Sequence, residues 1–110
     1  MLKKVWVLTP EERAHRQLVR TRRQIVNHRS DVMRQIKSLL LFYSIEVPFS
    51  SHQQWTGSFI KWLHELDLKD EYLNKSLKAL VHLFDYLSSE KRRLTHEVIQ
   101  LAREKNMHPE

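Results

Sequence analysis

The feature that most constrains the fold is an apolar repeat over residues 73–101, whose side chains recur at alternating spacings of four and three. The core slots hold Leu73, Leu77, Leu80, Phe84, Leu87, Lys91, Leu94, Val98 and Leu101. A heptad repeat keeps one apolar seam on one face of an α-helix, so the spacing predicts a long helix over about residues 69–105. We expect a core or dimer seam formed by Leu73, Leu77, Leu80, Phe84, Leu87 and Leu94.

A second long helix is predicted over about residues 9–43. Its start carries three agreeing signals: Thr9 as N-cap, Pro10 at the first helical position and Glu12 to complete a capping box. The heptad slots hold Leu18, Arg22, Ile25, Arg29, Val32, Ile36, Leu39 and Tyr43, and a second stripe holds Val19, Val26, Met33 and Leu40. Two adjacent stripes are typical of a helix in a bundle, and the two heptad arginines are expected to weaken the seam locally.

The segment between the long helices is predicted to contain a loop and a short helix. Pro48 and three serines favour a loop over residues 44–54, and an amphipathic helix is expected over about residues 55–66. Trp55, Phe59 and Trp62 lie on one face of that helix. They could stack on nucleic-acid bases, but an aromatic stripe at helical spacing is more often core, so we expect them to close one end of the fold.

These elements predict an all-α fold, a long antiparallel helical hairpin resembling a coiled coil, with a short intervening amphipathic helix. Helices of roughly 35 residues reach about 50 Å, so they can bury their seams only against each other or against copies of the chain. A dimeric bundle is expected. Residues 1–8 are predicted to end an upstream element, residues 9–105 to form the helical coiled-coil domain, and residues 106–110 to begin a linker.

Charge is distributed very unevenly along the chain. Residues 1–43 hold ten Lys and Arg against three Asp and Glu, a balance of +7, whereas residues 44–110 carry −1. Clustered arginines favour a polyanionic partner, because guanidinium groups contact phosphates in bidentate fashion and binding releases counterions. We predict nucleic-acid contacts from Arg13, Arg16, Arg20, Arg23, Arg34 and Lys37. The alternative is a solvated helix face.

The sequence lacks the residues that several kinds of active site require. The chain has no cysteine and a single glycine, so thiol catalysis and a glycine-rich phosphate loop are excluded. His64-Glu65 is followed by Leu68 where a two-histidine zinc helix needs its second ligand. Carboxylates are scattered singly. We therefore expect no catalytic residue, no metal, no cofactor and no small-molecule substrate in this segment.

Apolar runs are too short for a membrane segment. The longest, residues 39–43, is far below the roughly 20 residues that a spanning helix needs, and the start has too short an apolar stretch for a signal peptide. A cytoplasmic location without membrane contact is therefore expected.

Two segments of the predicted first helix resemble a known family. The first runs Leu-Val-Arg-Thr-Arg-Arg-Gln-Ile-Val-Asn-His-Arg over residues 18–29, and the second runs Gln-Ile-Lys-Ser-Leu-Leu-Leu-Phe-Tyr-Ser-Ile over residues 35–45. Together they resemble the middle segment of the DEDD-type insertion-sequence transposases, the bridge-RNA-guided recombinases of bacterial insertion sequences. Ser44 stands where glycine is common in that family, a departure that concerns the helix stop. The likeness extends from about Thr9 through both later helices.

The resemblance implies a division of labour within a longer bacterial protein. In that family an RuvC-like domain with four metal-binding acidic residues precedes the helical segment, and a domain with a catalytic serine follows it. This chain would then lie between the two, contribute no catalytic residue, form a homodimer, and support assembly on DNA or guide RNA. Two alternatives remain from the residues alone: a free-standing helical DNA-binding adaptor, and a small helical enzyme of chorismate-mutase type that binds a dicarboxylate through arginines.

Overall fold

The fold is all-α, as the sequence predicts. The computed structural model describes residues 8–107, and within that range it contains three helices and no strand: α1 at Pro10–Phe42, α2 at Gly57–Glu65 and α3 at Glu71–Met107. The predictions for residues 1–7 and 108–110 lie outside the described residues. Of the described part, no helix combines the length and apolarity that crossing a bilayer requires.

Both ends of α1 are fixed by local hydrogen bonds. The predicted capping box is confirmed: the Thr9 hydroxyl accepts from the Glu12 amide at 3.1 Å, and the Glu12 carboxylate accepts from the Thr9 amide at 3.0 Å. At the other end, Ser44 adopts a left-handed conformation with φ of 55°, and the Ile45 amide donates to the Leu40 carbonyl at 2.8 Å. This is the helix stop that glycine favours, because a side chain is strained at positive φ.

The predicted starts of α2 and α3 were each two residues early. Trp55 lies before α2 with φ of 66°, and Thr56 is the N-cap whose hydroxyl accepts from the Phe59 amide at 3.4 Å. Lys69 likewise has φ of 68°, and the Asp70 carboxylate accepts an amide hydrogen bond at 2.9 Å from Leu73 in the first turn of α3. Both helices therefore begin after a residue in the left-handed region, with a capping side chain between.

The long helices α1 and α3 lie side by side and run in opposite directions. Arg22 of α1 donates to Thr95 of α3 at 2.8 Å, and Arg29, further along α1, donates to Ser88, earlier in α3, also at 2.8 Å. The molecule measures 70 × 29 × 23 Å, so it is an elongated body with one layer of two long helices. The short helix α2 packs on this pair at the end where α1 stops and α3 starts.

The core is a continuous cluster contributed by all three helices. Its buried members are Val32, Ile36, Leu40, Phe59, Leu63, Leu77, Val81, Phe84 and Leu87. The predicted aromatic core is confirmed: Phe59 is buried, and the Trp55 ring centroid lies 5.0 Å from those of Phe59 and Phe84.

The predicted seam of α3 is only part of its buried face. Leu77, Phe84, Leu87 and Leu94 are buried, whereas Leu73 and Leu80 are half-buried. Val81, outside the four-three slots, is fully buried because α2 adds a second contact surface beside the one that faces α1. On α1 the assignment of Tyr43 to a heptad core slot was wrong, since this residue caps the helix and is half exposed.

Candidate nucleic-acid interface

All six basic residues predicted to contact nucleic acid lie exposed on α1. We call Arg13, Arg16, Arg20, Arg23 and Arg34 the basic stripe; Lys37 lies at its edge. With 3.6 residues per turn, the five arginines fall within an arc of roughly 80° around the helix axis. Val32, Ile36 and Leu40, which α1 buries in the core, lie on the opposite side of the helix. The stripe therefore lies on the side of α1 away from the core, although Arg16 also borders a groove shared with Val98 and Leu101 of α3.

The stripe has few carboxylate partners. Arg34 forms an ion pair with Asp31, one turn earlier on the exposed surface. In the part of the chain that the structure describes, Arg13, Arg16, Arg20 and Arg23 form no ion pair with a carboxylate. Four adjacent guanidinium groups are thus left with solvent as their counterpart, which leaves a positive potential along about 15 Å of helix.

The two remaining arginines of α1 have a different environment, which the sequence did not specify. Arg22 and Arg29 occupy heptad slots as predicted, but they bridge to α3 through hydrogen bonds to Thr95 and Ser88. The Arg29 guanidinium also lies 4.7 Å from the Phe84 ring centroid, and burial lowers the pKa of Arg29. Both side chains are half-buried, so they belong to the contact between the helices and not to the exposed stripe.

A cluster of ionisable groups joins α2 to α3 on another surface. His64 Nε2 lies 2.7 Å from the Asp85 carboxylate, and the His82 ring centroid lies 6.4 Å from that of His64. No group of three or more possible metal ligands occurs among residues 8–107 with described side chains. The His64 and Asp85 pair connects the short helix to the long one at the surface.

Sequence analysis missed a group of exposed apolar residues at the end of α1. Leu41 and Phe42 follow directly after the buried Leu40, yet their side chains are 81% and 78% exposed. The apolar run at residues 39–43 was used only to exclude a membrane segment, and neither Leu41 nor Phe42 was assigned to an apolar stripe. A signal was available in the helical period: positions 41 and 42 lie about 100° and 200° around the axis from Leu40, so they leave the face that contacts α3.

Comparison with known proteins adds no relative to this description. No family model matches the chain, and neither curated proteins nor solved structures yield a match. The features of the chain that bear on function are the orientation of the basic stripe, the environment of the other two arginines of α1, and the exposed apolar residues at the end of that helix.

Proposed function

We propose that this chain is a non-catalytic helical segment of a transposase or recombinase, which mediates dimerisation and supports nucleic-acid binding during DNA transposition. The observation that carries the proposal is the basic stripe. Its arginines are exposed, lie on the side of α1 opposite the core, and with the exception of Arg34 have no ion-pair partner among the described residues. The resemblance of residues 18–29 and 35–45 to bacterial insertion-sequence transposases supplies the biological setting.

The dimensions of the stripe suit a helical polyanion. From Arg13 to Arg34 the helix rises about 30 Å, which is close to one turn of B-form DNA at about 34 Å. Contacts of this kind hold phosphates and read no bases, so DNA or a guide RNA could occupy the same surface. Arginine suits the role because its planar fork donates two parallel hydrogen bonds to a phosphate.

Dimerisation is proposed for the same two-helix layer, as a bundle of antiparallel hairpins. The layer consists of only two long helices, and apolar residues outside the core remain open to solvent on both of them, among them Val19 on α1 and Leu83 on α3. A second copy would cover such residues. Replacing Val19 and Leu83 by Gln should return the chain to a monomer in sedimentation velocity with its helicity unchanged, and a monomeric parent would contradict this part of the proposal.

The nucleic-acid role is tested by removing charge from the stripe. Arg16, Arg20 and Arg23 share an arc of about 60°. Changing all three to Gln should weaken binding to duplex DNA and lower the slope of log affinity against log salt by about 2.7, since each lost phosphate contact removes about 0.9. The measurement is a salt titration of fluorescence anisotropy, with circular dichroism to verify that the helices persist.

A control variant that loses the same charge elsewhere distinguishes binding by the basic stripe from nonspecific electrostatic attraction. Lys61, Lys78 and Arg92 are exposed basic residues outside α1. Their combined replacement by Gln removes the same three charges and should change the slope by less than about 0.9, one contact. Equal losses in both triple variants, or no loss in the stripe variant, would show that the basic face of α1 is a solvated surface without a nucleic-acid role.

A further inference from the structure

The three most exposed large apolar side chains of the described residues, Leu41, Phe42 and Tyr72, lie at the end of the molecule where α1 stops and α3 starts. Phe42 is 78% exposed, Tyr72 is 74% exposed and Tyr43 is 50% exposed. These three rings form what we call the aromatic platform. Leu41, which is 81% exposed, lies beside it. Such side chains cost free energy in water, and a group of them usually marks a binding surface.

The platform borders two shallow grooves, and one of them also contacts the basic stripe. One shallow groove is lined by Arg34, Leu41, Phe42 and Tyr43, among others. A second groove is lined by Tyr43 and Tyr72 with Asp70, Leu73 and Ser76. Because Tyr43 borders both grooves, the three rings follow one another along a single surface that begins at the last arginine of the stripe.

Two of the rings contact each other and the third lies beside a cation, yet all three keep at least half of their surface open to solvent. Phe42 and Tyr43 meet edge to face, with centroids 4.9 Å apart and an interplanar angle of 81°. Lys75 Nζ lies 5.6 Å from the Tyr72 ring centroid, so a cation accompanies this ring as well. By contrast, the aromatic residues considered for base stacking from the sequence, Trp55, Phe59 and Trp62, belong to the core or pack against it. The Trp55 ring contacts those of Phe59 and Phe84, and the Phe59 ring contacts that of Trp62.

Three carboxylates near the platform have hydrogen-bond or ion-pair partners within the chain. Asp31 pairs with Arg34, and Glu71 pairs with Lys75 at 3.0 Å. The Asp70 carboxylate accepts an amide hydrogen bond at the start of α3. Lys37, exposed one turn before the platform, remains available for a phosphate. A ligand with a negative backbone and flat apolar groups therefore fits this end of the molecule.

We propose that the aromatic platform stacks unpaired bases of a single-stranded nucleic acid whose phosphates follow the basic stripe. This inference rests on the proposed nucleic-acid role of α1 and specifies the form of the ligand. Proteins that hold single strands combine cationic side chains along the backbone with aromatic rings beneath the bases, whereas the bases of an intact duplex are stacked on each other and cannot reach such rings. Continuity with the stripe favours this occupant over a protein surface.

The test compares single-stranded and duplex ligands on a variant without the rings. The probe is an oligonucleotide of roughly 16 nucleotides, the upper site size of comparable stacking surfaces, with a fluorescent purine analogue near its centre. Replacing Phe42 and Tyr72 by Leu keeps the apolar character and all charges. Single-strand affinity should fall at least tenfold, because each lost stack removes about a fivefold factor or more. Duplex affinity and the salt slope should not change.

The matched control is Tyr86→Leu, which removes a ring of similar exposure, 61%, about 20 Å along α3 from Tyr72. It should bind the single strand like the parent. If the parent and the double variant bind the single strand with equal affinity, the aromatic platform does not stack bases. The proposed function is still supported in that case if the stripe variant loses duplex binding. A parent that binds neither ligand at low salt defeats the proposed function itself. If the double variant sediments differently from the parent but binds the single strand equally well, the three rings belong to a protein interface and do not stack bases.

Discussion

Replacing Arg29 and Ser88, singly and together, measures what the polar contacts between α1 and α3 contribute to stability. The Arg29 guanidinium donates to the Ser88 hydroxyl at 2.8 Å and lies 4.7 Å from the Phe84 ring centroid. Met is a suitable replacement for Arg29, since it retains an unbranched apolar stem that can fill the same space. Ala replaces Ser88 without disturbing the helix.

The expected coupling between the two residues is about 1 kcal/mol. Hydrogen bonds to a charged group contribute about 1.5–3 kcal/mol, and the half-exposed position of Arg29 reduces this value. The Arg29→Met change alone also removes a ring contact of about 0.5–1 kcal/mol. It relieves, however, the partial desolvation that lowers the pKa of Arg29. These two effects occur with and without Ser88, so they cancel in a double-mutant cycle and leave the hydrogen bond.

Urea unfolding of the four proteins at one fixed concentration gives the free energies of unfolding that the cycle needs. The control is a second cycle of Arg23→Met with Ser88→Ala, because Arg23 lies exposed on the other side of α1. That cycle should give no coupling within about 0.5 kcal/mol. If the Arg29 cycle gives an equally small value, the guanidinium is solvated and the polar contacts do not stabilise the pairing of the helices.

Three further changes test local features. Ser44→Gly should raise the free energy of unfolding by up to about 1 kcal/mol, measured in urea, because Ser44 is strained at positive φ. Hydrogen bonds from the Lys69 amide and from Asn74 lower the pKa of Asp67. The contribution of Asp67 to stability is therefore present above pH 3.8, the ordinary pKa of the group, and is lost as the pH falls through the lowered pKa. In a pH series of melting temperatures, Asp67→Asn should reduce the fall in melting temperature at acidic pH. Asp85→Asn should cost at most about 1 kcal/mol in thermal unfolding at neutral pH, because its contact with His64 is partly exposed to solvent.

The helices were predictable because their signals are local. Thr9 and Glu12 lie within one turn of each other, and their reciprocal hydrogen bonds need no other part of the chain. The starts of α2 and α3 also have local caps, because the Thr56 hydroxyl and the Asp70 carboxylate each accept an amide hydrogen bond from three residues further on. The left-handed residue before each cap was not predicted. Trp55 and Lys69 adopt positive φ without being glycine, and Trp55 is held there by its contacts with Phe59 and Phe84, residues that lie in two different helices. A sequence pattern does not contain that information.

The exposure of the basic stripe could be predicted, since the period of the helix alone separates it from the apolar seam. The partners of Arg22 and Arg29 could not, because Thr95 and Ser88 lie 73 and 59 residues away in sequence. The end of α1 shows why hydropathy alone does not predict burial. Leu40 and Leu41 are adjacent leucines, yet Leu40 is buried and Leu41 is 81% exposed.

Packing along α1 is uneven, and this has a consequence for how its backbone opens. The buried residues of α1 are Val32, Ile36 and Leu40, all in its last third, so residues 10–31 contribute no fully buried side chain. Opening of a helix costs least where few apolar contacts must separate. Amide hydrogen exchange should therefore be slowest around Ile36 and progressively faster toward Arg13. A polyanion that binds the folded first part of α1 would slow amide exchange over residues 13–23 before any change at Ile36.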